Sequence, residues 1–407
     1  MKFINILKTK PLLAWFTAII LLTSCQKEEF KNELADTTTG SQSNGSCSNG
    51  NLVFDDMVLH QIVIDMPEAD QAKMIREADE EQYYQAEFTF DGNVVGTVGI
   101  RIKGDGSIQE AMDIGGNAFP FKIDFNRYNP DLKLDGLNKI NLHTELELSS
   151  VVNEYISYAL IRAWNVPTAR VSMAVLTMNG EDLGLYSIVE QTRGKFLKCN
   201  YSESPGNLYK FYRDPGQLTD VDNISNYANE SLKWPDQSDH VSFTNLIQAI
   251  NSGSIEAYLA VVDVQQQLRY MAANVGVANS DFYGNSPENY YLYEVSPGVF
   301  TMIPWDMNQS QIDDPSPCGI MNVSEEWPMI YPLLSNDVYL QQYFDYLKEF
   351  LNGPASVTNS LARLEQFERV VGDRISQVQS RVNETRETIQ QRVPAMLDEL
   401  NNGPTCD

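Results

Sequence analysis

Apolar and polar residues alternate over much of the first half of the chain, and this period of two predicts β-strands. Within Phe119–Phe125 the alternation places Phe121, Ile123 and Phe125 on one face of a strand and Lys122 on the other. Asp-Gly and Asn-Gly pairs between such runs are typical of tight hairpin turns. The strands predicted in this way are Met57–Asp65, a hairpin over Glu87–Lys103, Phe119–Phe125, a hairpin over Arg170–Glu190, and Asn207–Tyr212.

Helical spacing of apolar residues dominates the second half. The predicted helices are Glu68–Asp79, Val151–Ala163, two or three pieces within Phe243–Ala278, Asp337–Leu351 and Ser356–Leu400. One further hairpin, Asn289–Glu294 with Val299–Met307, interrupts them. The pattern therefore predicts an α+β protein with a β-rich N-terminal part and a mainly helical C-terminal part. A cleft between two such parts is a common place for a ligand.

The N-terminus has the pattern of an export signal. Three lysines precede Pro11–Leu22, an apolar run shorter than the ~20 residues that a membrane-spanning helix needs. Leu22–Cys25 resembles the bacterial lipobox, in which the peptide is cut before a cysteine that receives a lipid. We therefore predict a signal peptide over residues 1–24, lipidated Cys25 with a flexible linker over 25–50, and a folded domain over 51–402.

The four residues after Cys25 bear on localisation. Gln26–Glu29 resembles the short signal, a lysine with acidic residues, that sends Bacteroidetes lipoproteins to the outer face of the outer membrane. A simple polar tether is the alternative interpretation. The first interpretation predicts an outer-membrane lipoprotein exposed on the cell surface, which touches the membrane through its lipid alone.

Charge and composition narrow the possible partners. The chain of 407 residues has 29 Lys and Arg against 55 Asp and Glu, for a net charge of −26. This acidity argues against a nucleic-acid partner, because neutralising phosphates needs clustered basic residues. With Cys25 assigned to lipid, Cys47, Cys199, Cys318 and Cys406 allow three disulfide pairings, and the sequence does not choose among them. Three histidines supply few ligands for a His-built metal site.

Candidate chemistry concentrates around the last hairpin. Asp281 lies in a loop after a helix, Asn289 opens one strand, and Asp306 closes the next, with Asn308 just beyond it. A hairpin between Asn289 and Asp306 brings its two ends together, so two carboxylates and two carboxamides converge. Oxygen ligands of this kind suit Mg²⁺ or Mn²⁺. The alternative is that both aspartates are ordinary turn or capping residues.

Six stretches in order resemble the CotH kinase family, secreted kinase-like relatives of the spore-coat protein H. They are Val98–Ser107, Phe119–Phe125, Gly184–Gln191, Gly206–Lys210, Asn289–Tyr293 and Ile303–Asp306. The resemblance covers roughly residues 55–395. It implies an atypical bi-lobal protein-kinase-like fold and the transfer of the γ-phosphoryl group of ATP, with a divalent metal, to a protein hydroxyl.

The resemblance also implies roles for residues that would bind the nucleotide. Lys122 resembles the strand lysine that contacts the α- and β-phosphates, and Glu154 on the following helix is its candidate partner. Lys103 and Gly104 belong to a turn near the phosphates, where glycine lets backbone N–H groups approach an anion. Glu190 ends the strand that leads to the hinge beside the adenine.

Three further roles follow for the residues of the last hairpin. Asp281 resembles the catalytic carboxylate that accepts the hydrogen bond of the acceptor hydroxyl. Asp306 resembles the metal-binding aspartate, with Asn289 as a second ligand. The family often has a second aspartate where this chain has Asn308, and a histidine where it has Glu288. Asn308 keeps an oxygen but loses a charge, so we expect weaker metal binding.

Two functions are therefore open. The first is an exported kinase that uses ATP and Mg²⁺ or Mn²⁺ on a protein substrate. The second is a catalytically weak or inactive surface lipoprotein that binds a glycan or protein partner. Its sugar-stacking candidates are the aromatic residues near the site, Tyr283, Tyr290, Tyr291, Tyr293 and Trp305.

Overall fold

A computed structural model describes most of the folded domain. The residues described are 49–104, 108, 119–144, 149–201, 206–211, 213, 215–312, 316 and 323–404. The predicted signal peptide, Cys25 and most of the linker lie outside them, as do Cys47, Cys318 and Cys406. Within the part described, no helix is long and apolar enough to cross a membrane.

Seven strands of the N-terminal part form a closed barrel. They are β1 (Leu59–Asp65), β2 (Tyr84–Phe90), β3 (Asn93–Ile102), β4 (Phe121–Asp124), β5 (Lys139–His143), β6 (Val171–Met178) and β7 (Glu181–Glu190). Neighbours pair antiparallel in the order β1-β2-β3-β4-β5-β7-β6, and a parallel pair of β1 with β6 closes the ring. Both predicted hairpins are present, with Asp91-Gly92 and Asn179-Gly180 in left-handed turn conformations.

A second sheet has four strands. It consists of β8 (Leu208–Lys210), β9 (Leu232–Trp234), β10 (Tyr290–Ser296) and β11 (Val299–Pro304), in the order β11-β10-β8-β9. The hairpin predicted between Asn289 and Met307 is thus present as β10 and β11, with Tyr290 opposite Pro304. Pairing of β10 with β8 places Lys210 beside Tyr291.

Eleven α-helices are described. They are α1 (Glu68–Arg76), α2 (Ser149–Ala163), α3 (Gly194–Asn200), α4 (Ile224–Ser231), α5 (Val241–Ile250), α6 (Ile255–Val261), α7 (Val264–Gly276), α8 (Tyr331–Leu334), α9 (Asp337–Asn352), α10 (Val357–Val371) and α11 (Gln379–Asn401). The region predicted as one helix, Ser356–Leu400, is two helices, because Gly372 takes a φ of 51° and a 3₁₀ turn follows it. Most helices lie C-terminal to the barrel, which confirms the predicted α+β arrangement.

Two hydrophobic cores hold the domain together. One core fills the barrel. The other lies between the C-terminal helices, the second sheet and α2. Strand β6 contributes to both, since Ala174 and Leu176 enter the barrel core while Met173 and Val175 enter the helical core. The barrel is therefore packed against α2 on the side of β6 and β7.

Candidate functional site

A cleft of about 1330 Å³ collects most of the residues that the sequence singled out. Its walls come from the barrel, from α2 and from the second sheet. The predicted residues that line it are Lys103, Gly104, Lys122, Glu154, Asp281, Asn289, Asp306 and Asn308. The cleft is therefore the candidate site, and residues far apart in the chain meet there.

The ends of the β10–β11 hairpin form one wall. Asn289 directly precedes β10 and Asp306 lies two residues beyond the end of β11, so the pairing of Tyr290 with Pro304 brings both residues to the same end of the hairpin, where they line the cleft. Both have left-handed backbones, with φ of 61° and 59°. Non-glycine residues adopt this conformation at a cost, and such strain concentrates at functional sites. The convergence predicted from the sequence is thus observed.

Asp281 is held by Asn289. The Asn289 Nδ2 donates one hydrogen bond of 2.6 Å to the Asp281 Oδ2 and another of 3.2 Å to its backbone oxygen. Burial raises the pKa of the Asp281 carboxyl, and hydrogen bonds from Ser286 and Asn289 oppose that rise. Because both bonds use Nδ2, the Oδ1 of Asn289 remains available to another partner.

The donor set suits a hard divalent cation. Asp306 offers a carboxylate and Asn289 an amide oxygen, as Mg²⁺ and Mn²⁺ prefer. The Oδ1 of Asn308, the third predicted ligand, accepts a 2.9 Å hydrogen bond from the Gln309 N–H. The ligand atoms of His143, Glu154 and Asp306 also lie within 4.8 Å of one another. His143 is not among the metal ligands predicted from the sequence.

Four cations of the barrel, Arg101, Lys103, Lys122 and Lys139, line the cleft of this acidic protein, and Lys210 of the second sheet lines it as well. Arg101, Lys122 and Asn141 are cross-strand neighbours on β3, β4 and β5, and all three line the cleft. Burial, followed by the charges of Arg101 and three lysines, holds the pKa of Lys122 well below its usual value. The three lysines are Lys103, Lys139 and Lys210. Cations gathered in a partly dry cleft indicate a site for an anion.

Lys210 ends one of the stretches that resemble the family, but it is not among the predicted site residues. Its Nζ lies 5.5 Å from the ring centre of Tyr291 and 5.1 Å from that of Trp305. Burial lowers the pKa of Lys210 to about 8, against the attraction of Asp306. The sequence contains one clue to this role. Lys210 ends the stretch Gly206–Lys210, and that stretch includes the strand that pairs with β10 beside Tyr291.

The predicted pairing of Lys122 with Glu154 is wrong. Glu154 Oε1 lies 2.7 Å from Nδ1 of His143, and Nε2 of His143 lies 2.8 Å from Nζ of Lys103. Glu154 is fully buried, and this burial raises the pKa of its carboxyl to about 8, while Lys103 opposes the rise. The residue that links the helix glutamate to a lysine is therefore His143.

The side chain of Glu190 has a structural partner. Its carboxylate accepts hydrogen bonds of 2.6 and 2.9 Å from the Arg170 guanidinium, and Glu190 does not line the cleft. Arg170 in turn stacks on Phe54 and bonds the backbone oxygen of Asn49. Glu190 thus fastens the start of the folded domain to the end of β7, and its predicted contact with a nucleotide stays a prediction.

Several polar atoms that line the cleft are buried without a partner among the residues described. They are Ser150 Oγ, Glu154 Oε2, Gln191 Oε1, Thr192 Oγ1 and Trp305 Nε1. A buried polar atom left unpaired costs about 1–3 kcal/mol. Donors and acceptors of this kind, gathered in a cleft, indicate that a polar ligand or water completes their hydrogen bonds.

Comparison with known proteins identifies the family. A family model described as CotH kinase protein matches residues 100–404. Among curated proteins, no match is found. One similar solved structure is the Shewanella oneidensis MR-1 toxin–antitoxin complex of HipA, HipB and operator DNA, at 14% identity and a TM-score of 0.36. The alignment covers 70% of this chain and 66% of that one, just under two thirds of its length.

A second similar structure is the Helicobacter pylori proinflammatory kinase CtkA, at 10% identity and a TM-score of 0.29. That alignment covers 71% of this chain and 91% of the other. The family match has more weight than either structure, because it spans 305 of the 407 residues and includes most of the residues that line the cleft. The chain belongs to the CotH kinase protein family.

Proposed function

We propose that the protein transfers the γ-phosphoryl group of ATP to a hydroxyl of a protein substrate, with Mg²⁺ or Mn²⁺. One observation carries the proposal: Asp281, held by Asn289, shares a cleft with Asp306 and with Lys103, Lys122 and Lys210. Phosphoryl transfer needs a positioned nucleotide, neutralised phosphates and an oriented hydroxyl. The family membership supports a kinase-like protein.

Each group has a task in this proposal. Lys103, Lys122 and Lys210 attract and hold the phosphates against the acidic surface of the whole protein. Asp281 accepts the hydrogen bond of the acceptor hydroxyl and sets its direction. Asp306 and the Oδ1 of Asn289 would hold the divalent cation, which when bound supplies positive charge to the phosphate oxygens.

The cleft walls exclude part of the water. Trp305 and Tyr291 line it but are almost wholly buried, with exposed fractions of 1% and 3%. All five aromatic residues considered for stacking on a sugar are buried in this way. That burial favours phosphoryl transfer over the glycan-binding alternative, because a sugar stacks only on an accessible ring face.

The test is phosphate transfer by the full chain purified in detergent. We expect labelled ATP with Mn²⁺ to give phosphorylated protein, and Asp281→Asn to lower this rate by about 10²–10⁴-fold. Asp345→Asn, at an exposed position of α9, is the matched control. Equal labelling by the wild type and Asp281→Asn would contradict the proposal. Tight glycan binding without an ATP-induced melting shift would favour the inactive, partner-binding alternative.

We further propose that the protein is an outer-membrane lipoprotein, anchored through Cys25 and exposed on the cell surface. The leader pattern supports this, and so does the disulfide bond of Cys199, since disulfides persist in oxidising compartments. The proposed partners are a protein substrate and the membrane through the lipid, without nucleic acid. Labelled palmitate should enter the wild type and not Cys25→Ser. Protease added to intact cells should degrade the protein if it is exposed at the surface.

A further inference from the structure

Three side chains from separate elements form a continuous hydrogen-bonded row beside the cleft. Lys103 follows β3, His143 is the last residue of β5, and Glu154 lies on α2. The His143 ring lies between the other two, at 2.8 Å from the Lys103 Nζ and 2.7 Å from the Glu154 Oε1. His143 and Glu154 are buried, with exposed fractions of 6% and 0%.

Hydrogen-bond chemistry fixes the tautomer of this imidazole. A lysine ammonium donates hydrogen bonds and accepts none, so the Nε2 of His143 must accept from Lys103. The ring proton therefore lies on Nδ1, which donates to Oε1 of Glu154. This holds whether Glu154 is ionised or neutral, because the proton of a neutral acid can lie on its other oxygen.

We propose that His143 is a positioning residue that couples the helix glutamate to the phosphate-binding lysine through a neutral imidazole. In protein kinases the strand lysine and the helix glutamate pair directly. Here the imidazole stands between them, and the lysine held in this way is Lys103, not Lys122. The inference rests on the proposed function, since it assigns Lys103 to the phosphates of the same nucleotide.

The other end of this row reaches Asp306 through α2. The Tyr158 hydroxyl accepts a 2.9 Å hydrogen bond from the Asp306 backbone N–H. The Asn153 Nδ2 donates a 2.5 Å hydrogen bond to the backbone oxygen of Asn308. Tyr158 and Asn153 lie on the same helix as Glu154. Helix α2 therefore sets the position of Lys103, through His143, together with the position of the metal-binding aspartate.

His143 is close enough to Glu154 and Asp306 to be considered as a metal ligand, but its hydrogen bonds oppose that role. A metal ligand needs an unprotonated ring nitrogen that is free to coordinate. Nδ1 has the proton, and Nε2 accepts from Lys103 at 2.8 Å. A cation bound to either nitrogen would have to break the hydrogen bond with Glu154 or the one with Lys103.

The first experiment detects the hydrogen bonds themselves and needs no activity. The full chain is labelled with ¹⁵N-histidine. Because it has three histidines, replacing them one at a time assigns each signal to its residue. We expect His143 to show a protonated Nδ1 and an unprotonated Nε2, and Lys103→Met to shift the Nε2 signal. A proton on Nε2 would overturn the bridge. On adding diamagnetic Mg²⁺ alone, loss of the Nδ1 proton, or loss of the effect of Lys103→Met on the Nε2 signal, would also overturn it, in favour of a metal ligand.

The second experiment measures the effect on ATP. We expect His143→Ala to reduce kcat/KM for ATP by about 100-fold, because a displaced phosphate contact costs that much. Added imidazole should restore part of the loss, since His143 lines the cleft and its site is open to a small molecule. His60→Ala is the matched control, because His60 is also buried, bonds Asp91 at 2.8 Å and does not line the cleft.

Variants of Glu154 separate its hydrogen bond from its charge. Glu154→Gln keeps an oxygen that accepts from Nδ1, so we expect it to lose less ATP affinity than Glu154→Ala. Equal losses in both variants, or a His143→Ala loss that imidazole does not reduce, would contradict the positioning role. If the wild type itself bound no ATP, the proposed function would fail, while the ¹⁵N spectra would still decide whether the bridge exists.

Discussion

Asn289 holds the Asp281 carboxylate with a 2.6 Å hydrogen bond, although the two residues lie on opposite sides of a loop. The backbone of Asn289 is left-handed, with a φ of 61°. Asparagine tolerates this conformation better than most residues. One residue thus orients the proposed catalytic carboxylate and leaves its Oδ1 for a cation.

Replacing Asn289 should therefore affect catalysis more than folding. We expect Asn289→Gly to lower kcat by roughly 10–100-fold with little change in stability, because glycine accepts the backbone but lacks the amide. Asn289→Ala should show the same loss of kcat and in addition lose about 1–2 kcal/mol of unfolding free energy. Steady-state kinetics and urea unfolding of both variants check this. Unchanged kcat in Asn289→Gly would contradict the orienting role.

Asn308→Asp should strengthen metal binding. The substitution adds a carboxylate near Asp306, and more ligand charge tightens the binding of divalent cations. Its oxygen can still accept the hydrogen bond of the Gln309 N–H. We expect the half-saturating Mg²⁺ concentration for ATP-induced stabilisation to fall about tenfold. Asn308→Ala is the control, and a fall of equal size there would exclude the charge as the cause.

Local patterns predicted the fold well wherever one short segment decides the outcome. The Asp91-Gly92 turn, the two faces of Phe119–Phe125 and the meeting of Asn289 with Asp306 follow from strand periodicity and turn chemistry. The break at Gly372 was missed, although a glycine inside a helical pattern is a recognised warning.

Pairing across the chain could not be predicted in the same way. A period of two shows which residues share a face but not which strands are neighbours, so the closed barrel was not foreseen. The same limit explains the wrong partner for Lys122. Strand β5, which brings His143 to Glu154, was not predicted as a strand, and only its pairing with β4 and β7 places that ring beside α2.

The positive charge of Lys122 should lower the free energy of unfolding when no ligand is bound. Arg101 lies directly opposite it on β3, and like charges opposite each other on neighbouring strands are destabilising. We expect Lys122→Met to raise the unfolding free energy by about 1 kcal/mol and to weaken ATP binding. Lys133→Met, at an exposed site, is the control for loss of one positive charge.

The pH dependence of this effect has a definite sign. The pKa of Lys122 is well below its usual value in the fold and returns to about 10.4 in the unfolded chain. Between these values the unfolded chain binds more protons, so the stability of the wild type rises with pH relative to Lys122→Met. Urea unfolding at pH 7 and pH 10 measures the difference between the two proteins. A constant difference would show that Lys122 is not electrostatically strained.

Glu190 should matter for stability and not for the nucleotide. Its carboxylate is 6% exposed and pairs with the Arg170 guanidinium, which is 16% exposed. Removing one partner of a buried pair leaves the other charge unpaired, so Glu190→Ala should lose about 3 kcal/mol of unfolding free energy. We expect Glu190→Ala to keep the wild-type increase in melting temperature on adding ATP, since Glu190 does not line the cleft. Loss of that increase at unchanged stability would instead restore a direct role for Glu190 beside the adenine.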